Sequence, residues 1–515
     1  MNRRVYVIAG ALFLLVGAIV LTRFLGTEFM PKQDFPIAVV DLTLPVGMVL
    51  SETDHLARQI EDILLSRQEV ITCGSMVGIT VDAKYAAAQG DTTSGVNKAR
   101  IFARLCDKKD REKSSDTVIN EVRGTFPQLE GVEFTFEDLA GSMYGTGSSP
   151  IEINIYGSDL DQLDRISTES VSKLLSIQGF KDIDKSLKKS KPELHVMIDR
   201  EKASRMGLDV SRIASTVETA MLGKVVSRYQ DAGDEYDIRV RFAEKFRETQ
   251  DALKNIHIPS PLGFSLPLWQ VADLEESLGP ITINRKNQNR VVTITGSTFG
   301  RDLGSISRDI STTMKSISMP EGYFYDIGGT YEDMQSSFNE LGKAFIVAIL
   351  LIYMVMAAQF ESFTQPLIIM FSLPLAYVGM ILGLFITGKS LSVPSLMGLI
   401  ILMGIVVNNG IVMIDYINHL RKAGMEKTSA IVQGASIRLR PILITSITTI
   451  TAMLPMAFSQ SEGAEMRSPM AVSIAFGLLF SMVLTLFVVP SAYSIFDSIS
   501  QALRRKAPII IVDRE

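Results

Sequence analysis

The sequence of 515 residues contains few of the residues and motifs that form metal sites or the nucleotide-binding sites of enzymes. It contains two cysteines and four histidines, and it has neither an HExxH nor a CxxC spacing. Zinc sites depend on such clusters, so we predict no metal site. The phosphate-binding pattern GxxxxGK[ST] is absent as well. We therefore predict no enzyme activity and no cofactor.

Positive charge and cysteine are also scarce. The formal net charge is −5 at pH 7, which indicates no electrostatic surface for nucleic acid. Cys73 and Cys106 both fall in a segment that we place outside the membrane. In an oxidising compartment they could form a disulfide, but the sequence does not define the distance between them. Two free thiols are the alternative.

Long apolar runs, in contrast, are abundant. Hydrophobic residues make up 47% of the chain although 21% of it is charged, which indicates a membrane domain joined to a large soluble one. A run of about 20 apolar residues is long enough to span a bilayer. We predict six spanning helices from the apolar runs at residues 5–21, 344–358, 366–386, 393–414, 441–458 and 469–496.

The flanking charges predict the orientation of these helices. The first run is longer than the apolar core of a signal peptide and has no small-residue cleavage site, so we predict that it is retained. Basic residues mark the cytoplasmic ends of membrane helices. We therefore place the segment between the first two helices on the outer, periplasmic side. The basic residues on the opposite side are Arg3, Arg4, Arg421, Lys422, Arg438, Arg440, Arg504, Arg505 and Lys506.

One membrane stretch, residues 402–418, carries polar side chains at depth. It reads LMGIVVNNGIVMIDYIN, with Asn408 and Asn409 near its middle. Asp415 follows two helical turns later on the face of Asn408, about 10 Å away. Polar groups in a membrane helix face the bundle interior or a wet path. The alternative is that the two amides only hold helices together.

The fifth predicted helix carries hydroxyl groups in a row. Thr445, Thr448 and Thr449 are spaced i, i+3 and i+4, which places them on one helix face. We expect this face to turn into the bundle and to meet Asn408 and Asn409. Alternatively, the hydroxyls bond the carbonyls of their own helix.

The external segment, residues 27–337, predicts two tandem modules of ferredoxin-like βαβ–βαβ pattern. The first has strands at 36–45, 70–72, 99–105 and 132–136, with helices at 51–66 and 118–122. The second has strands at 151–156, 194–198, 291–296 and 323–327, with helices at 160–175 and 210–222 and one between the last two strands.

The same segment contains an insertion and a predicted cleft. A β-rich insertion interrupts the second module from residue 223 onward, and we interpret it as a docking surface rather than a loop without function. The cleft between the two modules is a place for a ligand. Its candidate lining residues are Phe134, Phe136, Met143 and Tyr144, although burial in the core is the alternative for both phenylalanines.

Eight stretches together resemble the resistance–nodulation–division (RND) family of efflux transporters. They are residues 26–34 (GTEFMPKQD), 192–208 (PELHVMIDREKASRMGL), 233–241 (GDEYDIRVR), 284–296 (NRKNQNRVVTITG), 329–341 (GTYEDMQSSFNEL), 360–374 (FESFTQPLIIMFSLP), 404–418 and 438–449 (RLRPILITSITT). Within residues 404–418, GIVVNNGIVMIDYIN is similar to the C-terminal half of these proteins.

The resemblance implies a fold of two parts. One is a membrane α-helical bundle of six transmembrane helices. The other is an α+β periplasmic domain of tandem ferredoxin-like βαβ modules with an inserted β-rich docking subdomain. The implied boundaries are 1–26 for the first helix, 27–140 for porter subdomain 1, 141–222 and 279–337 for porter subdomain 2, 223–278 for the docking subdomain, 338–500 for the other helices and 501–515 for a cytoplasmic tail.

The resemblance also implies a proton relay, and at some relay positions this chain has different residues from its family. The first half of such transporters carries a titrating acidic pair, and many second halves carry a lysine where Asn408 stands. Arg438 and Thr445 match residues implicated in the relay. The implied relay residues are Asn408, Asn409, Thr445, Arg438 and Asp415. Because amides do not titrate, we expect a partner half to supply the acidic pair.

The implied function is export of amphiphilic compounds from the bacterial inner membrane, driven by a proton gradient. The implied partners are the lipid bilayer, a homologous half, a trimeric assembly, a periplasmic adaptor and an outer-membrane channel. The start at Met1-Asn2-Arg3-Arg4 resembles a natural one, so we expect a split subunit, with a truncated product as the alternative.

Two alternatives to amphiphile export remain at the level of sequence. The 24 methionines are compatible with export of a soft metal ion such as Cu(I), since thioethers bind it. Methionine is, however, also an ordinary packing residue in membrane helices. The other alternative is a scaffold that holds a complex together without transporting anything.

Overall fold

The computed structural model describes residues 4–45, 47–78, 95–127, 129, 131–137, 149–187, 191–279, 283–461 and 463–506. The first element is helix α1 (Arg4–Thr22), an uncharged apolar helix after its first residue. Within the described residues, six helices are long and apolar enough to cross a membrane, in agreement with the sequence-based prediction.

The first outer module has the predicted ferredoxin-like topology. Its elements are β1 (Ile37–Thr43), α2 (Leu50–Leu65), β2 (Val70–Val77), β3 (Lys98–Leu105), α3 (Ser115–Arg123) and β4 (Glu133–Glu137). The strands pair in the order β2-β3-β1-β4, and every pair is antiparallel. Helices α2 and α3 cover one face, and their apolar sides meet Val40, Leu42 and Ile101 in a shared core.

The N-terminus of α3 is anchored to the segment that enters the module. Asp34 Oδ1 accepts hydrogen bonds from Ser115 N at 2.8 Å, Ser115 Oγ at 2.7 Å and Arg111 Nη2 at 2.6 Å. Burial opposes the charge of Asp34, but these hydrogen bonds outweigh it and lower the pKa of the carboxyl. The charge also suits the positive end of the helix dipole.

Replacing Asp34 by asparagine is expected to destabilise the chain by about 1–3 kcal/mol at pH 7, because charge-assisted hydrogen bonds are lost. An acid with a lowered pKa stabilises the fold above its unfolded pKa of about 3.9, and that contribution is lost as the pH falls through the folded pKa. Thermal unfolding in detergent should therefore show a difference that shrinks at low pH. Asp54→Asn, in an i,i+4 pair with Arg58, should cost below about 0.5 kcal/mol, and an equal loss would contradict the prediction.

The second module begins with β5 (Ile151–Tyr156), α4 (Leu160–Leu174) and β6 (Phe180–Lys185). The chain then leaves the module and forms a compact unit of its own, residues 187–283. The unit contains β7 (Lys191–Ile198), α5 (Arg200–Arg205), α6 (Val210–Met221), β8 (Lys224–Asp231), β9 (Asp234–Val240), α7 (Gln250–Lys254), β10 (His257–Pro259), β11 (Ser265–Pro267) and β12 (Ala272–Gly279).

This unit begins earlier in the chain than the insertion that we predict from residue 223. The strand predicted at 194–198 belongs to β7, which pairs with β12 rather than with the second module. The helix predicted at 210–222 corresponds to α6 and packs through Ile213 and Ala220 into the core of the inserted unit. The predicted boundary differs because both elements have the same amphipathic pattern as those of a porter module.

The second module is completed after the insertion by β13 (Arg285–Lys286), β14 (Asn289–Thr298), α8 (Leu303–Lys315) and β15 (Phe324–Gly328). Strands β6 and β14, which flank the insertion, are hydrogen-bonded to each other. The order β6-β14-β5-β15 repeats that of the first module. The insertion therefore replaces the hairpin between the second and third strands of a ferredoxin-like sheet.

The remaining helices form the bundle with α1. They are α9 (Thr330–Phe360), α10 (Thr364–Met370), α11 (Leu373–Ile386), α12 (Val393–Lys422), α13 (Lys427–Ala457) and α14 (Ala464–Lys506). At least half of the residues in the most apolar stretches of α11, α12 and α14 are buried, whereas few residues of α1, α9 and α13 are buried. Gly379 of α11 lies against the backbone of α14, which permits a close helix contact.

Candidate functional site in the helical bundle

A buried polar pair connects α12 and α13 within the bundle. Asn409 is 9% exposed and Ser446 is 2% exposed. Asn409 Nδ2 donates a long hydrogen bond of 3.4 Å to Ser446 Oγ. A polar group inside a membrane bundle is stabilised by such a partner on a neighbouring helix. The pair therefore links the two helices near the middle of α12.

Asn408 lies on a different face of α12 from Asn409. Successive residues of a helix are about 100° apart, so the two amides cannot both point into the same interface. Asn408 and Asp415 are both exposed in this chain, together with Gly404 one turn earlier. Met397 and Ile401, each 47% exposed, continue the stripe toward the start of the helix. The residues of this exposed stripe are Met397, Ile401, Gly404, Asn408 and Asp415.

The threonines of α13 do not meet the asparagines as predicted. Thr445 Oγ1 donates to the carbonyls of Pro441 and Ile442 at 3.2 and 3.1 Å. Thr448 and Thr449 donate likewise to carbonyls four residues earlier, at 2.7 and 2.9 Å. A hydroxyl in an apolar medium takes the nearest carbonyl, which is on its own helix. Ser446, which we did not predict, supplies the contact to α12 instead.

Ser446 and Thr445 offer a matched test. Ser446→Ala leaves the buried amide of Asn409 without this partner, and we expect a loss of about 1 kcal/mol or less, as for other hydrogen bonds between membrane helices. Thr445→Val keeps the side-chain shape and removes only a bond within one helix, so it should change stability less. Thermal unfolding in detergent measures both. A larger effect for Thr445→Val would show that the threonine face carries the helix contact.

Arg438 lies near Tyr416 rather than near the buried pair. Its guanidinium carbon is 4.8 Å from the centroid of the Tyr416 ring, a cation–π contact between α13 and α12. Among the described residues, the buried Nε of Arg438 has no hydrogen-bond partner. The structure thus places Arg438, Thr445 and Asn409 in three separate environments, and the predicted relay is not a connected chain of hydrogen bonds in this conformation.

A second polar network, which sequence reasoning missed, joins α12 to α14 and α13. It includes Asn418, Arg421, Lys427, Tyr493 and Asp497. Tyr493 OH donates to Asn418 Oδ1 at 2.9 Å, and Arg421 Nη1 donates to Asp497 Oδ1 at 3.0 Å. Lys427 Nζ lies 2.9 Å from Asp497 Oδ2. The signal in the sequence was a lone acidic residue, Asp497, near a cluster of basic ones.

Of the four outer candidate residues, the structure describes Phe134 and Phe136, which pack in the core of the first module. Phe134 and Phe136 pack with Phe126 in the first module, with ring centroids 5.1 and 5.8 Å from that of Phe126. Met143 and Tyr144 lie outside the described residues. Both cysteines are free thiols, and burial raises the pKa of Cys73 to about 11. Within the described ranges, no group of three or more His, Cys, Asp or Glu could hold a metal ion.

The buried pair can hold two helices together, but it cannot carry a proton. Amide and hydroxyl groups do not titrate in the physiological range. In the sequence of α12 and α13, Asp415 is the only carboxylate, and it lies on the exposed stripe. The chemistry that α12 and α13 can support therefore depends on the groups that face the exposed stripe.

Six apolar helices, two ferredoxin-like modules and a polar pair inside the bundle define a polytopic membrane protein of the transporter class. The model of the AcrB/AcrD/AcrF family matches residues 1–497. The chain belongs to this family of RND transporters, which confirms the predicted family and fold class and the prediction that it is not an enzyme.

Curated relatives are about twice as long as this chain. The cobalt-zinc-cadmium resistance protein CzcA of Cupriavidus metallidurans is 31% identical over 488 residues, which are 91% of this chain and 45% of the relative. The swarming motility protein SwrC of Bacillus subtilis is 26% identical over 503 residues, which are 97% of this chain and 46% of the relative. The chain thus spans slightly less than half the length of either protein.

Solved structures show the same fold. Two crystal forms of a heavy metal efflux pump superpose with TM-scores of 0.81 and 0.82 at 24% identity. The match covers 96% of this chain and 51% of the pump chain. At this level of identity the likeness concerns the fold alone.

Proposed function

We propose that this chain is one half of a proton-driven RND exporter and that a homologous partner half supplies the titrating acidic pair. The observation that carries the proposal is the exposed stripe of α12. This stripe contains Asn408 and Asp415, and Asp415 is the only carboxylate in the sequence of α12 and α13. Coverage of 45% of a full-length relative supports the chain being one half.

A partner bundle accounts for the stripe better than lipid does. Amide and carboxylate groups at membrane depth are costly against acyl chains and are found facing protein or water. Small residues such as Gly404 allow a second helix to approach closely. A partner helix seated on the stripe would bring its own acidic residues near Asn408, whose amide can donate to a carboxylate but cannot compete with it for protons.

The proposed topology follows from the basic residues. Arg421 and Lys427 lie at one end of the bundle, and the sheets of the two outer modules lie beyond the other end. The positive-inside rule therefore puts these modules in the periplasm. Inner-membrane location, trimeric assembly, an adaptor and an outer-membrane channel belong to the same proposal. The inserted unit, residues 187–283, would be the docking subdomain.

The proposed substrates are amphiphilic compounds, and metal ions are the second candidate. The name of a 31% identical relative favours metal ions. Deleting the gene separates the two candidates. Loss of tolerance to amphiphilic drugs and dyes supports the first, whereas loss of metal tolerance with unchanged drug tolerance supports the second.

The direct test is affinity purification of the chain from its native membrane in mild detergent, followed by mass spectrometry. We expect a stoichiometric homologue with an acidic pair in its own fourth membrane helix. Recovery of copies of this chain alone would contradict the split-exporter proposal and would favour a scaffold or a fragment.

A further inference from the structure

A cavity of about 560 Å³ lies where the bundle meets the outer modules. Five segments surround it: the chain after α1, the end of α11, the loop that follows α11, the start of α14, and Asp302 at the start of α8 in the second module. The lining contains both apolar and charged side chains, and we call the charged ones the charged wall. The residues that matter are Phe24, Glu28, Asp302, Phe385, Lys389 and Glu465. None of them belongs to the buried pair or to the exposed stripe.

The charged wall contains a cation that has no ion-pair partner among the described residues. Lys389 is half-buried in the loop between α11 and α12. Among the described residues, its ammonium forms neither a hydrogen bond nor an ion pair. Burial lowers the pKa of Lys389, although Glu465 partly opposes that effect. A half-buried ammonium of this kind is stabilised by an anion that binds to it.

The charged wall also contains a carboxylate oxygen that has no hydrogen-bond donor among the described residues. Glu465 Oε1 contacts Lys108 of the first module. Its second oxygen, Oε2, is buried and has no hydrogen-bond partner among the described residues. Glu28 Oε2 accepts from Ser390 Oγ at 2.7 Å, and burial raises the pKa of Glu28. An unpaired carboxylate oxygen calls for a donor, ideally an ammonium.

Two aromatic residues of the lining are exposed and lie near helix ends. Phe24 follows α1 and is 75% exposed, and Phe385 near the end of α11 is 51% exposed. Both lie where two spanning helices end, which is the level of the headgroups. A molecule in this cavity can therefore keep apolar chains in the bilayer while its polar part reaches the charged wall.

We propose that the cavity binds the zwitterionic headgroup of a phospholipid that carries a primary ammonium, such as phosphatidylethanolamine. Its phosphate would meet Lys389 and its ammonium would meet Glu465 Oε2, while the acyl chains pass Phe24 and Phe385. The site does not depend on a partner half or on transport.

The equal numbers of acidic and basic groups around the cavity favour a zwitterionic ligand over a ligand with a net charge. The acidic groups around the cavity are Glu28, Asp302 and Glu465, and the basic groups are Lys32, Lys108 and Lys389. A purely cationic amphiphile would approach Lys389, and an anionic lipid would leave Glu465 Oε2 without a donor. A quaternary headgroup such as choline has no N–H to offer that oxygen.

The test is native mass spectrometry of the purified full chain after lipid exchange in mild detergent. We expect phosphatidylethanolamine to be retained at least 5-fold better than phosphatidylglycerol or phosphatidylcholine. Lys389→Gln should reduce retention about 5-fold, and Lys389→Arg should restore it. Arg467→Gln is the matched control, because Arg467 is an exposed cation at the same end of α14. Thermal unfolding of each variant shows whether it is folded.

Three results would overturn the proposal. Equal retention of phosphatidylglycerol would show that the carboxylate does not select an ammonium. Equal loss of the lipid from Arg467→Gln and from Lys389→Gln would show that retention depends on positive charge in general and not on Lys389. Competition by glycerophosphoethanolamine at the same concentration as the whole lipid would identify a site for a soluble phosphate ester instead. None of these results bears on whether a partner half exists.

Discussion

Gly379→Val is expected to abolish recovery of folded chain from the membrane. A Cβ atom at Gly379 would lie 2.6 Å from the carbonyl oxygen of Phe476, 2.7 Å from Phe480 Cβ and 2.8 Å from Gly477 Cα. Two of these atoms belong to the backbone of α14, so relief requires α11 and α14 to separate. Overpacking typically costs about 1–3 kcal/mol, and a branched side chain against a fixed backbone belongs at the upper end or above.

The measurement is the monodisperse fraction after detergent extraction, by size-exclusion chromatography of a fluorescent fusion. Gly17→Val is the matched control, because α1 exposes Gly17 and a Cβ atom there would meet no other atom within 4 Å. Both substitutions place the same β-branched residue in a membrane helix. Equal recovery of the two variants would show that the α11–α14 contact does not depend on a glycine.

Gly404→Leu is expected to leave the chain folded but to abolish its association with a partner half, and with it export. Gly404 lies on the exposed stripe of α12, and a Cβ atom there would meet no atom of this chain within 4 Å. The added leucine would instead stand where the proposed partner helix must approach. Small residues permit such approaches, and a leucine at the contact would hold the helices apart.

The readout is the amount of homologous half that co-purifies with the tagged chain, beside export of an amphiphilic dye. Gly17→Leu adds the same side chain to the exposed face of α1 and should change neither. Unchanged co-purification with Gly404→Leu would place the partner on another surface. Because extraction is measured in parallel, misfolding and loss of the partner are distinguished.

The sequence predicted the element content of this protein well because that information is local. Six apolar runs predict six helices, and the structure describes all six. The alternation in strands such as Ile37–Thr43 and Ile151–Tyr156 predicted both sheets. The start of the insertion was placed too late, since β7 pairs with a strand some 80 residues further along the chain and no local pattern reports such a pairing.

The candidate site was predicted less completely, because a helix has several faces. The sequence singled out Asn408 and Asn409 as polar groups in a membrane stretch. Packing against α13 made Asn409 the buried partner of Ser446 and left Asn408 on the exposed stripe. The threonine row is regular in sequence, yet its hydroxyls are satisfied by their own helix. Spacing defines which residues share a face, whereas packing decides which face is inside.

The class of this protein can be predicted from local patterns, since apolar length, strand alternation and basic flanks are set by the bilayer and by backbone geometry. Which polar groups meet depends instead on how distant segments pack. Lys108 and Glu465 are 357 residues apart, and Lys389 belongs to a third segment of the same cavity wall. Contacts of this kind arise when distant helix ends pack together, and no periodicity in the chain encodes them.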